Sequence, residues 1–256
     1  MQMSHADKAR AFHDMHQRGN PLILFNVWDV GSAVTVAKTG AAALATGSWS
    51  VASAFGFSDG EQMPFDLVLA NLERIVRSVA LPLTADLEMG YGATPADVSN
   101  SIKAVLETGV VGFNIEDGLA EGGLRPIGEQ AARLNAARKT CDAVGIPAFI
   151  NARIDVFLQN DPSEHKAQMS DAVERMLAFA SAGANGIFLP GLTDLELIEE
   201  ACANATLPVN VMAVAATPSV ADLKQAGVSR ISHGPGPYAL TMGALEIAAR
   251  EVAQAF

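Results

Sequence analysis

Residues 81–118 read LPLTADLEMGYGATPADVSNSIKAVLETGVVGFNIEDG, and the pattern in this stretch decides the fold. It opens with a short apolar run, Leu83–Ala85, of the kind that forms a strand buried on both faces. Polar and flexible residues follow at once: Asp86, Glu88 and Gly90-Tyr91-Gly92. Thr94-Pro95-Ala96-Asp97 then reads as a helix start, with Thr as N-cap, Pro at the first helical position and an acid in the first turn. Thr108-Gly109 closes that helix, because glycine tolerates the left-handed conformation in which helices end. A second buried run, Gly112–Ile115, leads into another pair of acids, Glu116 and Asp117. This is one β–α–β unit with its acids gathered at the same strand ends.

The same alternation extends outward in both directions. Further β-like runs lie at Leu22–Phe25, Ala42–Thr46, Ala148–Asn151, Gly186–Leu189, Val209–Met212 and Arg230–Ser232, which makes eight in all. Helical patterns cover Ser4–Gln17, Pro64–Val79, Ile127–Val144, Ser163–Ala182, Asp194–Cys202, Ser219–Gln225 and Pro237–Ala255. In Pro64–Val79 the apolar residues Leu67, Val68, Leu72, Ile75 and Val76 fall on one helix face. Eight buried strands alternating with helices predict an α/β (β/α)8 TIM barrel preceded by an N-terminal helix, with a doubly wound open sheet as the competing arrangement. No linker, low-complexity tract or repeat interrupts the chain, so residues 1–256 are expected to form a single barrel domain.

Composition narrows the partners. The net charge of -11, with no Lys/Arg cluster, argues against nucleic acid. It also means that an anionic substrate needs local positive charge, from a metal ion, an arginine or both. Cys141 and Cys202 fall in helix-like segments outside any metal-ligand spacing and read as buried thiols of a reducing cytoplasm. The polar stretch Ser4–Arg18 lacks the apolar core of a secretory signal, so a cytoplasmic location is expected. Thr39–Ser58 and Ala201–Ala221 carry no charge, but Gly, Ser, Thr, Asn or Pro breaks each, and no membrane partner is expected.

In such a barrel the chemistry sits where strands end. Those ends carry Asn26-Val27-Trp28-Asp29, Thr46-Gly47-Ser48-Trp49-Ser50 with Asp59 downstream, Asp86 to Gly92, Asn114 to Gly118, and Asn151-Ala152-Arg153-Ile154-Asp155. Seven acids result: Asp29, Asp59, Asp86, Glu88, Glu116, Asp117 and Asp155. They would repel one another unless something positive lay among them. A hard divalent ion with oxygen ligands answers this, Mg²⁺ foremost with Mn²⁺ as an alternative. Asp86 and Glu88 are two residues apart and share one face of an extended strand, and Glu116 lies one strand over. Asp29, Asp117 and Asp155 serve equally well as helix caps or as partners of basic residues on the rim. Gly90-Tyr91-Gly92 would let the backbone approach a ligand. Gly47-Ser48 offers N–H groups and a hydroxyl to a carboxylate, and Arg153 can grip one bidentately or pair with Asp155 instead. Of the histidines only His233, after the eighth strand, is placed to touch a ligand, and a structural loop role suits it better.

Taken together, Asn26-Val27-Trp28-Asp29, Thr46-Gly47-Ser48-Trp49 with Asp59, Asp86-x-Glu88-x-Gly90-Tyr91-Gly92, Ile115-Glu116-Asp117 and Asn151-Ala152-Arg153-x-Asp155 resemble the phosphoenolpyruvate mutase/isocitrate lyase superfamily over nearly the whole chain. The resemblance implies Mg²⁺ near Asp86, Glu88 and Glu116. It implies substrate binding by Gly47, Ser48 and Arg153, and an active-site role for Asp59. It further implies a homo-oligomer, dimer or tetramer, whose last helix is exchanged between subunits. Trp28, Trp49 and Asn210 complete the expected substrate-binding set. Relatives that cleave isocitrates carry a Lys-x-Cys-Gly-His-type loop after the fourth strand, and phosphonate mutases place Lys and Asn there. Here that loop is Gly118-Leu119-Ala120-Glu121-Gly122-Gly123-Leu124-Arg125-Pro126, and only Glu121 and Arg125 could stand in as catalytic groups. Its paired glycines suggest a mobile lid. The expected activity is therefore an Mg²⁺-dependent lyase or decarboxylase acting on a small 2-oxo-carboxylate through an enolate-like intermediate. The alternatives are a phosphonopyruvate hydrolase or phosphonomutase, and a barrel that binds 2-oxo acids without turnover.

Overall fold

The computed structural model describes residues 3–254. The strands are β1 (Leu22–Leu24), β2 (Leu44–Ala45), β3 (Leu83–Asp86), β4 (Gly112–Glu116), β5 (Phe149–Arg153), β6 (Gly186–Leu189), β7 (Val209–Met212) and β8 (Arg230–Ser232). Every pairing is parallel, in the order β1-β8-β7-β6-β5-β4-β3-β2. The two ends meet just beyond β1 and β2, where Val27 bridges Thr46 and its N–H donates to the Ala45 carbonyl at 2.8 Å. The sheet thus closes as an α/β (β/α)8 barrel, and the open doubly wound arrangement is excluded.

Strand parity sorts the side chains. Phe113 and Ile115, Ile150 and Ala152, Ile187 and Leu189, and Val211 join one apolar cluster with residues of the surrounding helices, such as Ile102, Leu134, Met176 and Ile198. That layer between barrel and helices is the main core. The alternate residues, two apart and so on the opposite face, are largely polar: Thr84 and Asp86, Asn114 and Glu116, Asn151 and Arg153, Asn210, Arg230 and Ser232. They fill the barrel and form the floor of its mouth.

Two helices go beyond the sequence expectation, Val30–Ala37 and Ser48–Phe55. Each is eight residues long and rich in small or β-branched side chains, so neither shows a strong helical stripe. The first is nucleated locally by a capping box, in which Asp29 accepts from Ser32 N and the Ser32 side chain bonds back. The N-terminal helix ends at Asp14 rather than Gln17, and the last helix spans Gly236–Gln254. Ala255, expected at the end of that helix, lies outside the described residues. No helix among the described residues is long and apolar enough to cross a membrane. Cys141 and Cys202 are buried and free, and burial pushes each thiol up to about 11.

The bottom of the barrel is closed by the N-terminal helix. Phe12 is fully buried, and the His16 ring stacks on Phe149 with centroids 3.8 Å apart. Gly112 and Gly186 make room for that plug, since a Cβ at Gly186 would lie 2.7 Å from the Phe149 ring. Burial, with a smaller effect from Arg230, pushes the His16 imidazole down to about 3. The folded state therefore resists protonation that the unfolded chain accepts near pH 6.5. Stability from this group is complete above pH 6.5 and falls as pH drops toward 3, by about 1.4 kcal/mol per unit. His16→Phe, which keeps the stack, is expected to remove that slope. Urea unfolding at pH 7 and pH 5 should show wild type losing about 2 kcal/mol more than the variant.

Candidate active site

The mouth of the barrel holds a cavity of about 190 Å³ lined by Asn26, Ser48, Asp59, Asp86, Asn114 and Arg153 on one side. Leu158, Phe188, Pro190 and Met212 line another part of the same wall. Strand ends position the polar group. Asp86 is the last residue of β3 and lies in register with Asn114 of β4, which pairs in turn with Asn151 of β5. These three form a chain: Asn151 Nδ2 donates to Asn114 Oδ1 at 2.9 Å, and Asn114 Nδ2 donates to Asp86 Oδ1 at 3.4 Å. The other Asp86 oxygen accepts from Ser48 N and Ser48 Oγ at 3.2 and 3.0 Å. Ser48 begins its helix, so the Asp86 carboxylate faces the positive end of a helix dipole.

The other acids are mostly committed within the protein. Glu88 has a left-handed backbone, φ 50°, and is 3% exposed. Its Oε2 accepts from Gly60 N and Glu61 N at 2.5 and 2.6 Å, and its Oε1 from the Tyr91 hydroxyl at 2.8 Å. Burial nevertheless pushes its carboxyl up to about 7. Glu116 pairs with Arg153 Nη1 at 2.6 Å, and burial raises its carboxyl well above the usual range. Arg153 also binds Asp155 through Nε and Nη2 at 2.6 and 3.0 Å. Burial pulls its guanidinium down, but Glu116 and Asp155 more than reverse this, so it stays firmly protonated. Asp117 is fully buried, accepts from Asp155 N at 2.8 Å and pairs with Arg175 at 3.0 Å, and burial pushes its carboxyl up to about 6. Asp29 is a helix cap. Asp59 stands at the cavity rim, where partial enclosure and then the charge of Asp86 raise its carboxyl.

The expected ring of seven acids is thus largely self-compensated. Among the described residues no three His, Cys, Asp or Glu side chains converge as a metal cluster, and of the expected trio Glu88 and Glu116 are each engaged by the contacts above. Asp86 and Asp59 are the two acids that line the cavity. The donor set still suits a hard ion that keeps most of its waters and takes one direct carboxylate, which is the habit of Mg²⁺.

The remaining expected residues divide. Gly47, Ser48, Trp49 and Arg153 line the cavity. Ser48 spends its amide and hydroxyl on Asp86, so a ligand carboxylate would have to share them. Trp28 does not line it and packs edge-on against Tyr238. Asn210 lies just beneath, 1% exposed, with Oδ1 accepting from Ser232 at 3.2 Å and Nδ2 unpaired. Glu121 and Arg125 are not brought to the cavity. Glu121 is exposed on its loop, and the Arg125 backbone joins the Asp117–Arg175 network. The glycines after β3 serve packing: a Cβ at Gly92 would lie 2.6 Å from Val98 N, at the start of the next helix. His233 is held by Leu24 O and Asn26, as its structural reading requires.

Several contributors have no role assigned from the sequence, although Asn26, Asn114 and Asn151 stand in its strand-end stretches. Asn26, whose Oδ1 accepts from His233 N and Gly234 N at 2.9 Å each, ties the loop after β8 to the loop after β1. Asn114 and Asn151 position Asp86. Arg230 is fully buried inside the barrel, bonded through Nε to Ser232 at 3.1 Å with Nη1 unpaired, and burial pulls its guanidinium down to about 9. The available signal was polar residues interrupting apolar strand runs, a place where they are costly unless used.

Comparison with known proteins is consistent over the full barrel. The family model described as phosphoenolpyruvate phosphomutase matches residues 12–253. A solved protein of Burkholderia cenocepacia J2315, provisionally called a phosphonomutase, is 48% identical, with 97% of this chain and 99% of that one covered and a TM-score of 0.95. An uncharacterised protein of Mycobacterium tuberculosis H37Rv is 34% identical across 94% of this chain and 88% of its own. The 2-methylisocitrate lyase of Escherichia coli K12 is 27% identical over 84% of this chain and 74% of its own, and an oxaloacetate decarboxylase of Pseudomonas fluorescens SBW25 is 25% identical over 92% and 81%.

Proposed function

Since the chain belongs to the phosphoenolpyruvate mutase/isocitrate lyase superfamily, we propose that it is a Mg²⁺-dependent lyase that breaks a carbon–carbon bond in a small 2-oxo-carboxylate through an enolate-like intermediate. The observation that carries this reading is the floor of the cavity. Asp86, braced by Ser48 and Asn114, shares it with the Arg153 guanidinium. Asp86 would hold the ion, with Glu88 and Glu116 as the further carboxylates of the expected set. When bound, Mg²⁺ supplies Lewis-acid stabilisation of negative charge developing on oxygen. Arg153 binds and orients the substrate carboxylate with the donors left over from Glu116 and Asp155. Asp59, at the rim, exchanges the proton. The named activities of the lyase and decarboxylase relatives support carbon–carbon cleavage, as does a lining in which, among the described residues, Arg153 is the one cationic side chain.

Thermal shift with oxalate, a mimic of a pyruvate enolate, tests the reading. Oxalate should stabilise the protein in the presence of MgCl₂ and leave it unchanged without. Stabilisation that is indifferent to Mg²⁺ would remove the metal from the proposal. Release of inorganic phosphate from phosphonopyruvate would favour the carbon–phosphorus alternative.

A homo-oligomer belongs to the same proposal. On the last helix Leu240, Leu245, Ile247 and Val252 are 62–70% exposed, and Pro237 is its buried residue. An apolar helix face of this size calls for cover, which a second copy of the chain would provide.

A further inference from the structure

The cavity wall is divided by strand order. From β8 through β1, β2, β3 and β4 to β5 each strand end contributes a polar side chain, Ser232, Asn26, Ser48, Asp86, Asn114 and Arg153, with Trp49 and Pro235 as the apolar residues among them. Beyond Arg153 it changes. Phe188 of β6, in register with Arg153, is 5% exposed, and Met212 of β7 and Pro190 follow. Leu158, on the loop after β5, completes the sector and is 46% exposed at the mouth. No Lys, Arg or His other than Arg153 lines the cavity among the described residues. A second carboxylate or phosphoryl group on the substrate would lose its water against this sector with no cation to replace it, which is costly. An alkyl group there would gain by covering Leu158 and Phe188.

Resting on the lyase reading above, we infer that the substrate is a 2-oxo monocarboxylate with an apolar tail, held by Leu158, Phe188, Pro190 and Met212, and that cleavage releases an apolar aldehyde. For a 4-hydroxy-2-oxo acid the balance is complete without a co-reactant. The C3–C4 bond breaks and its electron pair stays on C3 as the pyruvate enolate. The C4 hydroxyl becomes the aldehyde carbonyl and gives its proton to Asp59, and C3 then takes a proton to give pyruvate. Loss of CO₂ alone would leave the apolar sector unused.

Calorimetric titration in MgCl₂ tests the tail separately from the head. Along pyruvate, 2-oxobutanoate, 2-oxopentanoate and 2-oxohexanoate, Kd should fall about fourfold per added methylene. 2-Oxoglutarate should bind at least about tenfold more weakly than 2-oxohexanoate. Leu158→Arg should reverse that order; the position is exposed, and circular dichroism checks that the variant keeps its fold. Conversion of 4-hydroxy-2-oxohexanoate to pyruvate and propanal should outpace cleavage of 4-hydroxy-2-oxoglutarate. Tight Mg²⁺–oxalate binding with a flat or inverted series would overturn this inference and leave the lyase reading standing. Failure of oxalate to bind with Mg²⁺ would overturn both.

Discussion

Replacing Asp86 with Asn is expected to weaken Mg²⁺-dependent oxalate binding by at least about 100-fold, since even outer partners of a metal ligand are commonly worth 10–100-fold. The substitution keeps the shape of the side chain and its place beside Ser48 and Asn114. It removes the charge that a hard cation requires. Folding should change little, because Asp86 has no ion-pair partner among the described residues to be orphaned. Calorimetry with oxalate and MgCl₂ reads the first effect and urea unfolding the second. Oxalate affinity equal to wild type in Asp86→Asn would move the metal to other residues.

Arg153→Met should act on both binding and stability. The guanidinium is shared by Glu116 and Asp155 at 2.6 Å each. Removing one partner of a buried ion pair typically costs about 3–5 kcal/mol, because the remaining charge has lost its compensation. Glu116 can escape part of this cost by taking up a proton, for its carboxyl is already raised by burial. Denaturation should therefore show the variant destabilised most at alkaline pH, where Glu116 must ionise. The triple variant Arg153→Met, Glu116→Gln, Asp155→Asn should regain most of the stability and none of the oxalate binding. Recovery of binding with stability would mean that Arg153 only holds the two acids.

The architecture was largely legible because each β–α–β unit repeats one local grammar, and the first five strands break it with polar residues at the same end. The start of the last helix and the bounds of β6, β7 and β8 were placed to within a residue for the same reason. The fate of the acids was legible only where it is local, as in the Asp29 cap and the Arg153–Asp155 pair. Asp117 is paired with Arg175, 58 residues away, and accepts from Asp155 N at a separation of 38, so these contacts exist only once the barrel has closed. Ser48 and Asp86, 38 apart, are a similar case. The apolar sector was hidden for the opposite reason. Phe188 and Met212 look like ordinary residues of buried strands, and only barrel geometry turns them toward the mouth. Asn114, Asn151 and Arg230 could have been flagged, since polar residues inside apolar runs need a use.

The barrel is sewn shut unevenly. Seven junctions are ladders, whereas β1 and β2 meet through the single Val27–Thr46 bridge. That seam is where the cylinder should breathe first, and the backbone amide of Val27, which donates across it to Ala45, should exchange with deuterium ahead of those in β4 and β5. Asn26, Gly47 and Ser48 stand directly on it. Ligand capture would then lace the weakest stave, making occupancy of the mouth and rigidity of the whole cylinder two readings of one equilibrium.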